Sequence, residues 1–508
     1  MSGVSRDEMR PAGYAALLER FGNSGAPNWH RSIVASGTVR RTERAGMTVL
    51  DVYPATYWPG DSSVDHLEFA LKYDGTNLAL LASLLPAISR EEITRYVRSR
   101  PTGKYARRIW YFYEMLTGEQ LDVEHSIGSG FVDLVDPEEQ YTSSIAVPVR
   151  RQKVRDNLLG DVRFCPTIRR TPRLEAMRAK DLTSRAAQLA ASYPPDLLRR
   201  ALGYLYTKET KSSFEIERIR PNASRIERFV TLLQAASTED FCVKPQLIDL
   251  QNQIVEPRFK ETDYRTNQNY VGESLGFGRE RVHYVCPRPE QVPDLMAGLI
   301  EAHGRMESGK LHPVLEAAAI AYGFVFVHPF EDGNGRIHRL LIHNILSRRG
   351  FTPAGVIVPV SAAMLRQPAD YDASLEAFSR PIVDLADYSL DDQGRMTVQN
   401  DLGPLYRYPD MTAQAEALFQ FVEQSIETDM VEELDFLASY DRTKPAMQEI
   451  VDMPDRELNL FLRLCIQNNG VLSSAKRSAH FSYLTDDEVR RLEQAIAEGF
   501  RRPPRGNS

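Results

Sequence analysis

Twelve consecutive residues, His328-Pro329-Phe330-Glu331-Asp332-Gly333-Asn334-Gly335-Arg336-Ile337-His338-Arg339, bring together an imidazole, a carboxylate, a glycine-rich turn and two arginines. Gly333-Asn334-Gly335 lets the backbone turn tightly and aim its amides inward. A helix opening near Arg336 adds unpaired N–H groups and the positive end of its dipole. Together they make an anion nest suited to an α- or β-phosphate. Arg336 and Arg339, three positions apart, project from one helical face toward the outer phosphates. Asp332 stands just before the nest, where a carboxylate can hold a Mg²⁺ that also contacts phosphate oxygens. His328 lies at the rim, where a neutral imidazole can take a proton from an attacking hydroxyl. The chemistry that uses all four parts is transfer of a nucleotide phosphoryl group to a hydroxyl, with pyrophosphate leaving. Other chemistries drop out. The chain has no GxxxxGK[ST] phosphate loop, and its arginines stand where that loop would use a lysine. His338 and His343 are five apart, off a common helical face and outside any HExxH, so zinc is not favoured and both read as packing or surface residues.

These groups need rigid supports. The apolar run Ala317 to Val327 leads into the segment, and Arg336 to Leu346 continues it as a helix. Ser89-Arg90-Glu91-Glu92 has the spacing of a capping box that opens a helix toward Val97, and Tyr105 to Leu116 predicts another, stopped at Thr117-Gly118. Phe131 to Val135 and Ser144 to Val149 predict strands or extended loops. Helical spacing returns from Leu182 through Ala201, and Ile226, Phe229, Val230 and Leu233 share one helical face. Glycines and short extended runs between Tyr264 and Val285 suit a hairpin, and Met411 to Phe500 is mainly helical by pattern. Residues 1 to about 30, rich in Gly, Pro and Asn, are expected to be partly mobile, and Arg501 to Ser508 disordered.

At 508 residues the chain exceeds one ordinary core, so two to four domains are expected. Its 42% apolar and 26% charged residues are ordinary for a folded soluble protein. A net charge of -7 gives no global drive toward nucleic acid or anionic membranes. No long apolar run or signal-type core appears, so no membrane association is expected. Cys165, Cys242, Cys286 and Cys465 lie far apart, which suits reduced thiols and a cytoplasmic location, although a protein exported without a cleaved signal looks the same. Arg150-Arg151-Gln152-Lys153-Val154-Arg155 and Arg169-Arg170-Thr171-Pro172-Arg173 form a basic neighbourhood near the aromatic run Trp110 to Tyr113. Single-stranded nucleic acid can use such a surface, but an aromatic run inside a helix reads first as core, so this partner is not favoured.

HPFEDGNGRIHR resembles the active-site motif of the Fic family, HPFx[D/E]GNGRxxR, with no departure at its defining positions. The resemblance implies a protein adenylyltransferase that uses ATP and Mg²⁺ to place AMP on a Ser, Thr or Tyr hydroxyl of a protein, this chain itself included. It makes His328 the base and Asp332 the metal ligand. Asn334 with the Gly333 and Gly335 backbone would hold the α-phosphate, Arg336 and Arg339 the β- and γ-phosphates, and Phe330 would anchor the loop. Asn269 to Val285 resembles the family's flap, a hairpin that offers an edge to an extended target segment, with Val271, Gly272, Val282 and Tyr284 as its candidate residues. Lys310 to Ala317 resembles the helix that enters the loop.

Upstream, Ser213 and Glu217 fit the family's inhibitory element, [S/T]xxxE[G/N], while Arg218 replaces its Gly or Asn. Glu217 would then pair with Arg339 in the space a γ-phosphate needs, or orient water to remove AMP from a modified target. The expected fold is mainly α: a Fic-type helical core with a β-hairpin flap, an α+β N-terminal region, and a small helical or winged-helix C-terminal region. The expected division is an N-terminal domain of unknown role (1–180), a catalytic domain containing the inhibitory segment 212–218 (181–398), and a C-terminal domain (399–508). A homodimer is an open option. Two alternatives stand beside protein AMP transfer: a nucleotide-sensing binding module without transfer, and an enzyme that transfers another phosphate-containing group.

Overall fold

Apolar residues at helical spacing run through most of the chain, and helices dominate the computed structural model, which describes residues 9–22, 26–37, 39–126, 130–276 and 279–501. Near the N-terminus β1 (Met9–Ala12), β2 (His30–Ala35), β3 (Arg41–Ala45) and β4 (Thr48–Pro54) form one sheet in the order β1-β2-β4-β3. β2 and β4 run parallel, and the other pairs are antiparallel. Helix α1 (Tyr14–Phe21) follows β1 and buries Tyr14 and Leu17. The expectation of a mobile N-terminus is therefore corrected for the residues described. Met9–Ala12 finds a strand partner in Ser32–Ala35, which no local pattern in the chain announces. Residues 1–8 and 23–25, and 502–508 of the expected disordered tail, lie outside the described residues.

Helices α2 (Ser63–Phe69), α3 (Leu78–Leu84), α4 (Arg90–Ser99) and α5 (Lys104–Thr117) follow. Ser89 caps α4 by accepting the Glu92 N–H, but the Glu92 carboxylate accepts from Val64 N at 3.1 Å instead of reaching back, so only half of the capping box forms. Gly118 ends α5 at φ +75°, a conformation that suits glycine. Trp110, Phe112 and Tyr113 point into the core, as an aromatic run in a helix predicts. Strands β5 (Val132–Asp133), β6 (Val147–Val149) and β7 (Val154–Asp156) make a small sheet in the order β5-β7-β6.

The next helices are α6 (Pro172–Arg178), α7 (Leu182–Ala191), α8 (Pro195–Ile216), α9 (Ala223–Ala235) and α10 (Lys244–Ile254). The helical spacing from Leu182 to Ala201 is interrupted before Pro195, because Pro194 and Pro195 cannot donate and start a new helix instead. The hairpin β8 (Tyr270–Gly276) and β9 (Arg279–Val285) precedes α11 (Val292–Ser308). Helix α12 (Pro313–Ala317) passes through a π turn, Ala318–Tyr322, into α13 (Gly323–Val327), and after the loop comes α14 (Asn334–Arg348). Then follow α15 (Val360–Arg366), α16 (Pro368–Leu385), the hairpin β10 (Tyr388–Leu390) and β11 (Met396–Val398), α17 (Gly403–Arg407), α18 (Thr412–Gln424) and α19 (Val431–Gln448). Helices α20 (Asp455–Gln467), α21 (Ser474–His480) and α22 (Asp486–Gly499) end the chain, and no strand lies among the described residues after β11. The C-terminal region is thus helical, not winged.

One continuous apolar cluster runs from Tyr14 to Met430, and a smaller one joins Met447 to Ile496. Helix α14 lies inside the larger cluster, with Ile337, Leu340, Leu341, Ile342 and Ile345 all fully buried. A helix buried on every side is a rigid platform for the groups at its N-terminus.

Candidate active site

The loop between α13 and α14 is held from inside. Phe330 is fully buried beside Tyr264 and Phe324, and burial of one such ring stabilises by roughly 2 to 3 kcal/mol. Asn334 accepts the Phe330 N–H at 3.1 Å and donates to the Phe330 carbonyl at 2.7 Å. Its side chain is therefore spent on the loop, which leaves the backbone amides to face an anion. Gly333 takes φ +97° before the first turn of α14, where a Cβ would press on Val255. The N-terminal amides of a helix have no intrahelical acceptor, so this turn presents donors and positive potential together.

His328 ends α13 in the left-handed region, at φ +51°. Its Nδ1 lies 3.1 Å from the Val325 carbonyl, which places the proton on Nδ1 and leaves the Nε2 lone pair as the acceptor. Burial is the main cause that holds its pKa down at about 4; the Val325 carbonyl acts the other way, and Arg265 adds to the depression. The imidazole is neutral at pH 7, as a base must be.

The two arginines turn inward, each 1% exposed. Arg336 donates to Asp332 Oδ1 at 2.7 Å and to the Ile254 carbonyl at 3.2 Å, and its buried Nε has no hydrogen-bond partner among the described residues. Arg339 donates from Nη2 to Glu217 Oε1 at 2.7 Å and to the Ser213 carbonyl at 2.8 Å, and from Nε to the Ser213 hydroxyl at 2.9 Å. Ser213 on α8 and Glu217 at its C-cap thus meet Arg339 across 126 and 122 residues of chain. A Cβ on Gly335 would run into the Glu217 carboxylate, so that carboxylate sits directly over the nest.

Arg218, the departure from the expected Gly or Asn, adopts φ +55°. Its N–H bonds Glu215 O at 2.8 Å and Ile219 N–H bonds Phe214 O at 3.0 Å, a paired C-terminal cap. The left-handed residue that such a cap needs explains a Gly or Asn preference there. An arginine meets it at a cost of about 1 kcal/mol.

The family model for the Fic/DOC family matches residues 242–346. Over those residues the chain is similar to the Fic/DOC family. It is 38% identical over 97 residues to the protein adenylyltransferase Fic of Drosophila mojavensis, a match covering 19% of this chain and 17% of that relative. It is 37% identical over 111 residues to the protein adenylyltransferase fic-1 of Caenorhabditis briggsae, covering 22% and 18%. The chain therefore spans less than a fifth of the length of these curated relatives. Among solved structures, a Fic family protein from Desulfovibrio desulfuricans G20 aligns with a TM-score of 0.37 and 19% identity, over 65% of this chain and 85% of that one.

Within the matched residues, sequence reasoning missed Arg265. It is 3% exposed, and its guanidinium donates to the carbonyls of His328, Asn267 and Pro287, each at 2.7 Å. Its own N–H reaches Pro329 O at 2.8 Å. One side chain thus stitches the base of the β8–β9 hairpin to the turn that carries His328. Glu261 was also missed: it accepts the Glu331 N–H at 2.9 Å, and burial raises its pKa. Neither shows a local spacing signal, because the contacts that tie them to the catalytic loop span 63 and 70 residues.

The hairpin residues separate. Val271 is exposed, Gly272 packs too close to the Arg281 carbonyl for a Cβ, and Val282 is half-buried. Tyr284 turns inward and donates to the Phe326 carbonyl, which fastens β9 to α13. His338 and His343 are both buried. In the basic neighbourhood, Arg151 pairs with Glu114, Arg155 with Asp133, Arg169 with Asp410 and Arg170 with Glu175, so these charges are spent within the fold.

Proposed function

We propose that this protein is an adenylyltransferase that moves AMP from ATP to a Ser, Thr or Tyr hydroxyl of a protein, under restraint by Glu217. The observation that carries this reading is the convergence of a neutral imidazole with a free Nε2, an amide nest and a buried arginine already paired to a carboxylate. His328 accepts the proton of the target hydroxyl as its oxygen bonds to the α-phosphorus, and the α–β bridging bond breaks to release pyrophosphate. The amides at the start of α14 stabilise charge on the transferring group. Arg336 and Arg339 take the leaving phosphates. The exposed face of the β8–β9 hairpin offers an extended target segment a strand to pair with.

Mg²⁺ fits the residues present. Asp332 is 41% exposed and commits Oδ1 to Arg336, and one carboxylate beside substrate phosphates is the usual arrangement for this ion. Bound there, the ion would neutralise phosphate charge. Among the described residues no cluster of three or more His, Cys, Asp or Glu is placed to hold a metal without such phosphates.

Restraint follows from position. With Glu217 on Arg339 and over Gly335, a triphosphate cannot seat its outer phosphates there. ATP binds unproductively or not at all until α8 yields. Among the described residues no helix is long and apolar enough to cross a membrane. The four free, buried cysteines support a proposed cytoplasmic location. The test is intact mass of a Glu217→Gly variant after separate incubation with ATP, GTP, UTP and CDP-choline. A gain of one AMP with ATP alone is expected. A gain with CDP-choline or UTP in its place would make this a different phosphate-group transferase.

A further inference from the structure

Helix α8 delivers Glu217 to Arg339, and its middle is fastened by a contact that transfer chemistry does not use. Glu209, on α8 about two turns before Glu217 at its C-cap, is fully buried. Its Oε1 lies 2.7 Å from His343 Nε2, and its Oε2 accepts the Ser361 N–H at 2.9 Å. The Ser361 hydroxyl bonds the same carboxylate. His343 is on α14, one turn beyond Arg339, and Ser361 is on α15. The steps match: from Ser213 back to Glu209 is one turn of α8, and from Arg339 on to His343 is one turn of α14. The two sets of contacts are successive rungs between two helices running in opposite directions.

A buried carboxylate is costly unless each lone pair is satisfied, and an apolar residue would hold the two helices together at less expense. What the polar rung adds is register. A slip of α8 by one residue turns its side chains by about 100°, and Glu217 then leaves Arg339. We propose that Glu209 is a positioning residue for the restraint: through His343 and Ser361 it locks α8 against α14 so that Ser213 and Glu217 face Arg339. This rests on reading Glu217 as the restraint.

The experiment measures self-labelling by full-length protein with labelled ATP for Glu209→Ala, Ser361→Ala and Glu209→Gln, each with and without Glu217→Gly. Ser361→Ala removes one hydroxyl and serves if Glu209→Ala does not fold. Glu209→Ala is expected to raise labelling about fivefold or more and Ser361→Ala about twofold, while Glu209→Gln, which keeps an acceptor for Ser361, stays near the parent. In the Glu217→Gly background none of them adds more than about twofold, because all act through the same contact. Three outcomes decide. If Glu217→Gly raises labelling while Glu209→Ala and Ser361→Ala stay at the parent level, the positioning role falls and the restraint stands. If labelling drops in both backgrounds, Glu209 is merely structural and the inference is overturned. If Glu217→Gly itself changes nothing, the restraint reading fails first.

Discussion

Replacing Arg265 with Met removes three charge-assisted hydrogen bonds of 2.7 Å and leaves the carbonyls of His328, Asn267 and Pro287 without that donor in a site 3% exposed. Each such bond contributes roughly 1.5 to 3 kcal/mol. The buried guanidinium has no carboxylate partner among its hydrogen bonds, however, so removing it also relieves its own desolvation. The net cost is put at about 3 kcal/mol. The kinetic effect is larger than stability alone gives, since a shift near 1 Å of the residue carrying the base costs on the order of 100-fold. Arg265→Met and Arg265→Lys are compared in a Glu217→Gly background, with Tm and the initial rate of AMP transfer as readouts. Both are expected to lose at least about tenfold in rate, because a lysine keeps the charge but not the fork that reaches three carbonyls. A folded Arg265→Met variant that transfers AMP within twofold of its parent would refute the claim that this side chain positions His328.

Other outcomes follow from the same geometry. Glu217→Gly removes an ion pair in which the arginine is 1% and the glutamate 33% exposed. The exposure places its worth near the low end, about 1.5 kcal/mol, so self-labelling should rise roughly tenfold; equal labelling would sink the restraint. His328, held down at about 4, must be neutral to act, so transfer should persist as pH falls through 6 and be lost only near 4. A loss centred near 6.5 would contradict the burial described. Asp74, buried against Tyr14 N–H and the Ser32 hydroxyl, has its pKa raised to about 8 by burial. Its folded pKa exceeds the unfolded one, so its contribution to stability is present below about pH 4 and declines as pH rises toward 8. Asp74→Asn should therefore lose less Tm between pH 5 and pH 9 than the parent, and an identical loss would refute the assignment.

Much of the loop was legible because its logic is local. The glycine turn and the helix after it follow from neighbours in the chain, although that helix opens at Asn334, two residues before the expected Arg336; the inward Phe330 was implied by the family resemblance. The capping of α4 by Ser89 and the stop at Gly118 are local too. What could not be read depends on distant partners. Glu92, the third residue of its helix, is placed to accept the Ser89 N–H, yet Val64 captures it. Arg265 shows no motif, since its meaning lies in carbonyls from two other segments. Glu209 reads as one more charge on a helix until α14 and α15 close around it. Arg218 shows the middle case: its departure was visible, and only backbone geometry reveals that a left-handed cap accommodates it.

Intact mass tests most directly whether His328 activates a hydroxyl toward the α-phosphate of ATP. Glu217→Gly protein incubated with ATP and Mg²⁺ should gain the mass of AMP, and the Glu217→Gly, His328→Ala double variant, folded to the same Tm, should gain none. Equal gain in both, or no gain in the first with any added protein target, would contradict the account.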